Sequence, residues 1–387
     1  MYTLDGRLVD YPWIVGDGVT DDTAGLQKLF DNYKAVCFTE PKIIRITSTI
    51  TIDVSKLWLF DGGNSTFIID GDFVGFEIVG DSESSYKKDI PSDFWTNQYY
   101  INIASFTFKN CKIKSADGVS GIGLKLTNCA QVNVKNCLFR GMNTAILLDG
   151  IGRNIIIDGC HLWYLTGSGI EFAETSDTHQ ININNNHISF CKYGVFVNNP
   201  RSIANWQFCG NDVELNTYPL IEKENDRAIY IYSDDTKKSQ MSEFEICGNT
   251  IQGHSLSDCI IEIHGGNNRY IEHTSLVGNH ISNVLPNGIL VIFDKCRNMT
   301  ICNNTFKDDL SSSESAHSTT CITIANSKGI AIVGNSFIRV IDFISITSNS
   351  EDVSISANAG ECIGTFAYND NTCSNIVQIG NAITENQ

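Results

Sequence analysis

No stretch of this 387-residue chain holds the roughly 18 consecutive apolar residues that a membrane-spanning helix needs. The opening MYTLDGRLVDYPW has neither a charged leader nor an apolar core segment, so no export signal is read in it. Basic residues are scarce, 27 against 44 acidic ones, and the formal charge of -17 repels phosphate backbones and anionic lipid surfaces. Nucleic acid and membrane insertion are therefore not expected. Charge of either sign is sparse too, at 18% of residues, while 42% are hydrophobic, which excludes a disordered tail and supplies a continuous core. The 14 cysteines form no clustered CxxC pair of metal-site type, and the chain is far longer than a disulfide-stapled miniprotein.

What the chain has instead is a repeat. A short phrase, Gly or Asn and then an apolar residue two or three positions on, recurs at Asn110, Asn136, Gly159, Asn186, Asn211, Asn249, Asn279, Asn304, Asn335 and Asn381. Each phrase is followed by a turn and an apolar alternation such as GIEFAE, AIYIYS, IIEIHG or CITIAN, the period-two pattern of a strand. Taking Ile122, Ile146, Ile170, Val195, Ile229, Ile261, Ile289 and Ile322 as the first inward residues gives a repeat of about two to three dozen residues with no helical segment. The expected fold is all-β, a single-stranded right-handed parallel β-helix whose coils each bury nothing alone and stack at about 4.7 to 4.9 Å. Asparagine tolerates the left-handed corner such a coil needs, so equivalent residues can stack into a ladder. Cys111, Cys137 and Cys160 fall in one repeated slot, and Cys209, Cys247 and Cys302 in another, which favours stacked buried thiols over disulfides.

Residues 16 to 23 read GDGVTDDT and lead into AGLQKLFDNY, with Leu26, Leu29 and Phe30 at helical spacing. A short helix here would cap the open end of the solenoid, giving residues 1–35 as an N-terminal segment and 36–387 as the β-helix. This opening, with the Asn-led coils, resembles the pectate-lyase-like β-helix superfamily, and especially bacteriophage tailspikes and capsule depolymerases. The resemblance implies a homotrimer at the virion tail that binds bacterial surface polysaccharide and commonly cleaves it, by hydrolysis or β-elimination, without a cofactor. It also implies that Asp17, Asp21 and Asp22 are structural. No virion-attachment domain precedes Gly16 and no obvious trimerisation domain follows Asn381, as expected of a trimmed chain or a cellular relative.

In a solenoid, function sits where long loops wall one face. Insertions are read near 81–100, 212–227, 234–242, 265–275 and 307–320, which places a groove on the coils starting at Val195, Ile229, Ile261 and Ile289. Strand alignment puts Glu171, Phe196, Tyr230, Glu262 and Leu290 in one outward row, and Asn198, Tyr232, His264 and Ile292 in the next. Tyrosine rings beside carboxylates suit sugars, whose faces stack on rings while acids handle hydroxyl and glycosidic protons. Glycoside hydrolysis needs two carboxyl groups, so Glu262 is the first candidate, with Asp234, Asp235 or Asp294 as partner. A lyase acting on uronic acids would instead use His264 as neutral base, with Arg269 and Tyr270. Trp206, together with Trp95, Tyr99 and Tyr100, binds glycan or packs between subunits, and a non-catalytic spike is the third reading. No metal ligand set is expected.

Overall fold

The computed structural model describes residues 13–80, 105–216, 226–237, 241–253, 258–284, 288–308, 320–362 and 365–385. Insertion 81–100, with Trp95, Tyr99 and Tyr100, and stretches 217–225, 238–240 and 309–319 of the other insertions lie outside them. Almost every element is a short strand paired in parallel with its equivalents one coil away, so the chain is a parallel β-solenoid as the repeat predicts. Inside each strand buried and half-exposed residues alternate, as in Arg227–Tyr232, Cys259–His264 and Thr320–Ala325. Chain packing divides the solenoid into two units, Met1–His187 and Ile188–Gln387.

The first unit opens with the helix Thr23–Asn32, whose Leu26, Leu29 and Phe30 are buried. Phe30 meets Phe60 edge-on at 4.8 Å, and Phe60, Phe67, Phe76 and Phe108 continue an aromatic file up the coils. Each such fully buried ring contributes about 2 to 3 kcal/mol by removal from water. Asp22 is buried and accepts the N–H groups of Val15 and Gly16 at 2.7 and 2.9 Å, while Asp17 and Asp21 bond Thr20 and Thr23 beside them. These aspartates tie down the entry to the cap.

The second unit has three strand files. The front file runs Arg227–Tyr232, Cys259–His264, Ile289–Asp294, Thr320–Ala325 and Asp342–Thr347. A second file contains Ser202–Cys209, Met241–Cys247, Ser275–Val277 and Cys296–Cys302. The third contains Asp212–Glu214, Thr250–Gln252, His280–Ser282 and Thr305–Lys307. The corner between the second and third files holds the expected ladder. Gly210, Gly248 and Gly278 turn there with φ of 67°, 62° and 66°, where a side chain would be strained. The asparagine after each glycine passes its amide to the next coil, from Asn211 to Asn249 at 3.1 Å, Asn249 to Asn279 at 2.8 Å, and Asn279 to Asn304 at 3.0 Å. The ladder continues through Asn335 and Asn358 to Asn381.

Cysteines depart from expectation at one place. Cys111, Cys137 and Cys160 are buried free thiols, and burial pushes the Cys137 thiol well up. Cys209 and Cys247, however, form a disulfide. They are register partners on adjacent parallel strands with Cα atoms 4.6 Å apart, and both sit at half-exposed positions beside the turn. The thiols that stay free in the core alternate inward, whereas this pair alternates outward.

Candidate active site on the front file

The site is built on consecutive rungs of the front file in the second unit. Parallel pairing sets Tyr193 beside Arg227, Phe196 beside Tyr230, Tyr230 beside Glu262, and Tyr232 beside His264. The next rung sets Ile292 beside Glu262 and Asp294 beside His264. Leu290, expected outward next to Glu262, is fully buried, because the pairing lies two residues on from the one read in the unbroken apolar string 289–293. That shift brings Asp294 to the imidazole, where Ile292 was expected.

Charges alternate across these rungs. Arg227, 8% exposed, donates through Nε to Glu262 Oε2 and through Nη1 to Asp258 Oδ1 at 2.5 Å. Glu262, 14% exposed, receives His264 Nε2 on its other oxygen at 2.6 Å. The opposite ring nitrogen of His264, Nδ1, faces Asp294 Oδ2 at 3.2 Å, and Asp294 Oδ1 accepts Asn326 Nδ2 at 2.7 Å. The bonds from Asp294 and Glu262 push the His264 pKa up to about 9, so the ring is an imidazolium at neutral pH with both N–H groups donating. Burial works to raise the Glu262 carboxyl, but the His264 and Arg227 contacts outweigh it and hold the group below its usual value. Asp294 follows the same balance, burial opposed and overcome by His264 and Asn326. Both carboxylates are thus ionised, and the proton held at neutral pH sits on His264.

Aromatic rings flank this network. Tyr193, Phe196 and Tyr230 stack with centroids 4.6 to 5.8 Å apart and planes within 19°. Stacked rings cover one another's faces, and Lys192 Nζ lies 5.6 Å from the Tyr193 centroid, so hydroxyls and ring edges are what this ladder offers a ligand. Burial, then the Glu262 charge, raises the Tyr230 hydroxyl pKa.

Several expected residues go elsewhere. Trp206 is a correction: it is fully buried, 5.8 Å from Phe208 and 5.5 Å from Phe244, in register with Phe244 on the inward side. Arg269 is buried and spends its guanidinium on Asn199 Oδ1 and on the carbonyls of Pro200 and Arg201, at 2.7 to 3.1 Å. It braces a turn and is not presented to a ligand. The Tyr270 ring carries the Arg297 guanidinium 3.5 Å from its centroid. Asp234 accepts the Thr236 hydroxyl, then the Thr236 N–H and the Asn199 amide, contacts that lower its pKa, and Asp235 accepts the Asn268 N–H at 2.7 Å. Both aspartates fasten turns beyond the strand ends. Glu171 lies in the first unit, where it accepts the Thr144 hydroxyl at 3.2 Å. Sequence reasoning missed Arg227 and Asp258, although Arg227 stands two residues before the inward Ile229, as Tyr193 stands before Val195.

This geometry sits on a widely shared scaffold. The family model of the right handed beta helix region matches residues 93–251. The catalytic unit of an alpha-1,3-glucanase from Streptomyces thermodiastaticus is 11% identical, with a TM-score of 0.63 over 96% of this chain and 67% of that one. A DFA-IIIase from Arthrobacter chlorophenolicus is 12% identical, with a TM-score of 0.63 over 93% of this chain and 97% of that one. The tailspike protein of E. coli bacteriophage HK620, solved with a pentasaccharide, is 11% identical, with a TM-score of 0.61 over 99% of this chain and 77% of that one. No curated protein matches. At these identities the likeness is one of fold, and the fold is a right-handed parallel β-helix.

Proposed function

We propose that the front file of the second unit binds a bacterial surface polysaccharide and hydrolyses it within the chain. The observation that carries this reading is the pair of ionised carboxylates, Glu262 and Asp294, set on either side of a protonated His264 beside the tyrosine ladder. A carboxylate held ionised suits the activation of water, and the imidazolium, on releasing its longer contact to Asp294, is the proton donor for a departing glycosidic oxygen. Arg227 holds Glu262 in place from the other side. The fold likeness to a glucanase and to a tailspike solved with a pentasaccharide supports a glycan as the ligand class. The resemblance of the sequence to phage tailspikes adds a phage tail as the working setting and a homotrimer as the assembly. Elimination is the weaker reading, since it asks His264 to be a neutral base and the ring keeps its proton up to about 9.

The test is incubation with a panel of purified capsular and O-antigen polysaccharides, following chain length, reducing ends and ultraviolet absorbance together. Hydrolysis shortens the chains and creates reducing ends without a new chromophore. An unsaturated uronate absorbance would replace hydrolysis by elimination, and binding without cleavage would leave a glycan-binding protein.

A further inference from the structure

We propose that Cys209, Cys247 and Glu245 form, once the disulfide is reduced, a site for one thiophilic divalent cation of the zinc class. The two sulfurs and a Glu245 carboxylate oxygen lie within 4.8 Å of one another. Their closeness is dictated by the fold, because Cys209 and Cys247 are direct register partners and Glu245, two residues before Cys247, alternates to the same outward side. A tetrahedral zinc with bonds of about 2.0 to 2.3 Å needs ligand atoms about 3.3 to 3.8 Å apart, a rotamer adjustment away. Gln207 Nε2 donates to Glu245 Oε2 at 3.0 Å and steadies that carboxylate, leaving its other oxygen for a metal.

Its accessible position distinguishes this pair from the core thiols, and direct pairing with a second cysteine distinguishes it from the half-exposed Cys37, Cys302 and Cys373. Metal binding requires thiolates; burial pushes Cys129, Cys137, Cys191, Cys259 and Cys296 up and away from ionisation, and the neighbouring Cys137 thiol, then burial, does the same to Cys160. Cys209 and Cys247 are half-exposed, and Glu245 is exposed. The redox step is balanced by a dithiol reductant: the protein disulfide takes two electrons and two protons to give two thiols, and the reductant closes to its own disulfide. Metal binding then releases the two thiol protons to solvent, with water completing the coordination sphere. The oxidised chain is locked against the metal and the reduced chain accepts it.

The test uses cadmium as an optical probe on the full chain, reduced with a dithiol and freed of it under anaerobic conditions. The expected result is a thiolate-to-cadmium charge-transfer band that saturates at one metal per chain, is absent from the oxidised protein, and disappears in C209S/C247S. Glu245→Gln should weaken the metal by at least about tenfold while keeping the band. Mass spectrometry of alkylated thiols gives a second readout that does not depend on the variants folding: zinc should slow the labelling of Cys209 and Cys247 in the reduced wild type. No band in the reduced wild type, an equal band in the double variant, or labelling unaffected by zinc would overturn the proposal.

Discussion

The two units use the same coil but fill equivalent positions differently. In the first, the corner slot holds the thiols of Cys111, Cys137 and Cys160, with Asn110 and Asn136 taking the left-handed backbone at φ of 57° and 52°. In the second, asparagine takes the slot and the left-handed residue before it is glycine at Gly210, Gly248, Gly278, Gly334 and Gly380, with Asn303 and Ala357 in the other two coils, so the corner becomes a chain of amide hydrogen bonds. Charges outside the coils differ in the same sense. The first unit pairs Lys125 with Glu77 and Asp149 at 3.4 and 2.8 Å, all of them between a fifth and a third exposed. The second sets Arg227 and Glu262, 8% and 14% exposed, in line with a titratable histidine. Wet pairs of this kind contribute little and serve any solenoid, whereas the drier Arg227–Glu262 pair, continued by a half-exposed His264 and Asp294, is costly to assemble and makes these shifted groups candidates for a functional site.

The comparison breaks most sharply at the arginine. Arg227→Ala leaves the Glu262 carboxylate with the His264 imidazolium as its one remaining cation and should cost about 3 kcal/mol in denaturant unfolding, against about 1 kcal/mol or less for Lys125→Ala. Equal, small losses would mean that the network is as solvated as the surface pairs. Reducing the Cys209–Cys247 disulfide, which spans 38 residues of sequence, should cost about 3 kcal/mol, read as a lower thermal midpoint than that of the oxidised protein. The first unit, whose cysteines are free, has nothing equivalent to lose.

Acidity sharpens the contrast further. His264 has its pKa raised in the folded protein, so its stabilisation is complete below the unfolded value of about 6.5 and is lost as pH rises through about 9. The loss over that window should be on the order of 2 to 3 kcal/mol, and His264→Gln should flatten it. The lowered carboxylates Glu262 and Asp294 act oppositely, stabilising above the ordinary carboxylate range and ceasing to do so as pH falls through their folded values. A ring titration of His264 near 6.5 would contradict the clamp. The smallest effect is at the corner: Asn279→Ala strands the Asn249 amide and the Ile246 carbonyl and should cost about 2 kcal/mol, against about 1 kcal/mol for Cys137→Ala.

Much of this was legible because a solenoid writes its geometry into its period. The Gly-Asn corners, the capping face of Leu26, Leu29 and Phe30, and the neighbourhood of Tyr230 with Glu262 and Tyr232 with His264 all follow from alternation and spacing. Legibility failed where alternation did. The string Ile289 to Phe293 is apolar throughout, so nothing in it marks which residues point inward, and Asp294 was separated from His264 by two residues of register. Trp206, expected to bind glycan or to pack between subunits, falls in the stretch where the strand phase is least defined, and the core claims it. Arg227 ends a polar insertion and looks like loop, although the strand begins with it. The disulfide is hidden because a repeated cysteine slot fits both stacked thiols and a bridge: Cys302 shares the outward phase but faces Val277 and Val333 and stays free, whereas Cys209 and Cys247 face each other on adjacent coils.

The account rests on the claim that the Arg227–Glu262–His264–Asp294 line does chemistry. The most direct measurement is the cleavage rate of Glu262→Gln beside its unfolding free energy, on a polysaccharide that the wild type shortens. We predict a rate at least about a hundredfold lower in a variant that stays folded at the assay temperature. Full cleavage by a folded Glu262→Gln protein would contradict the claim and assign the network to stability alone.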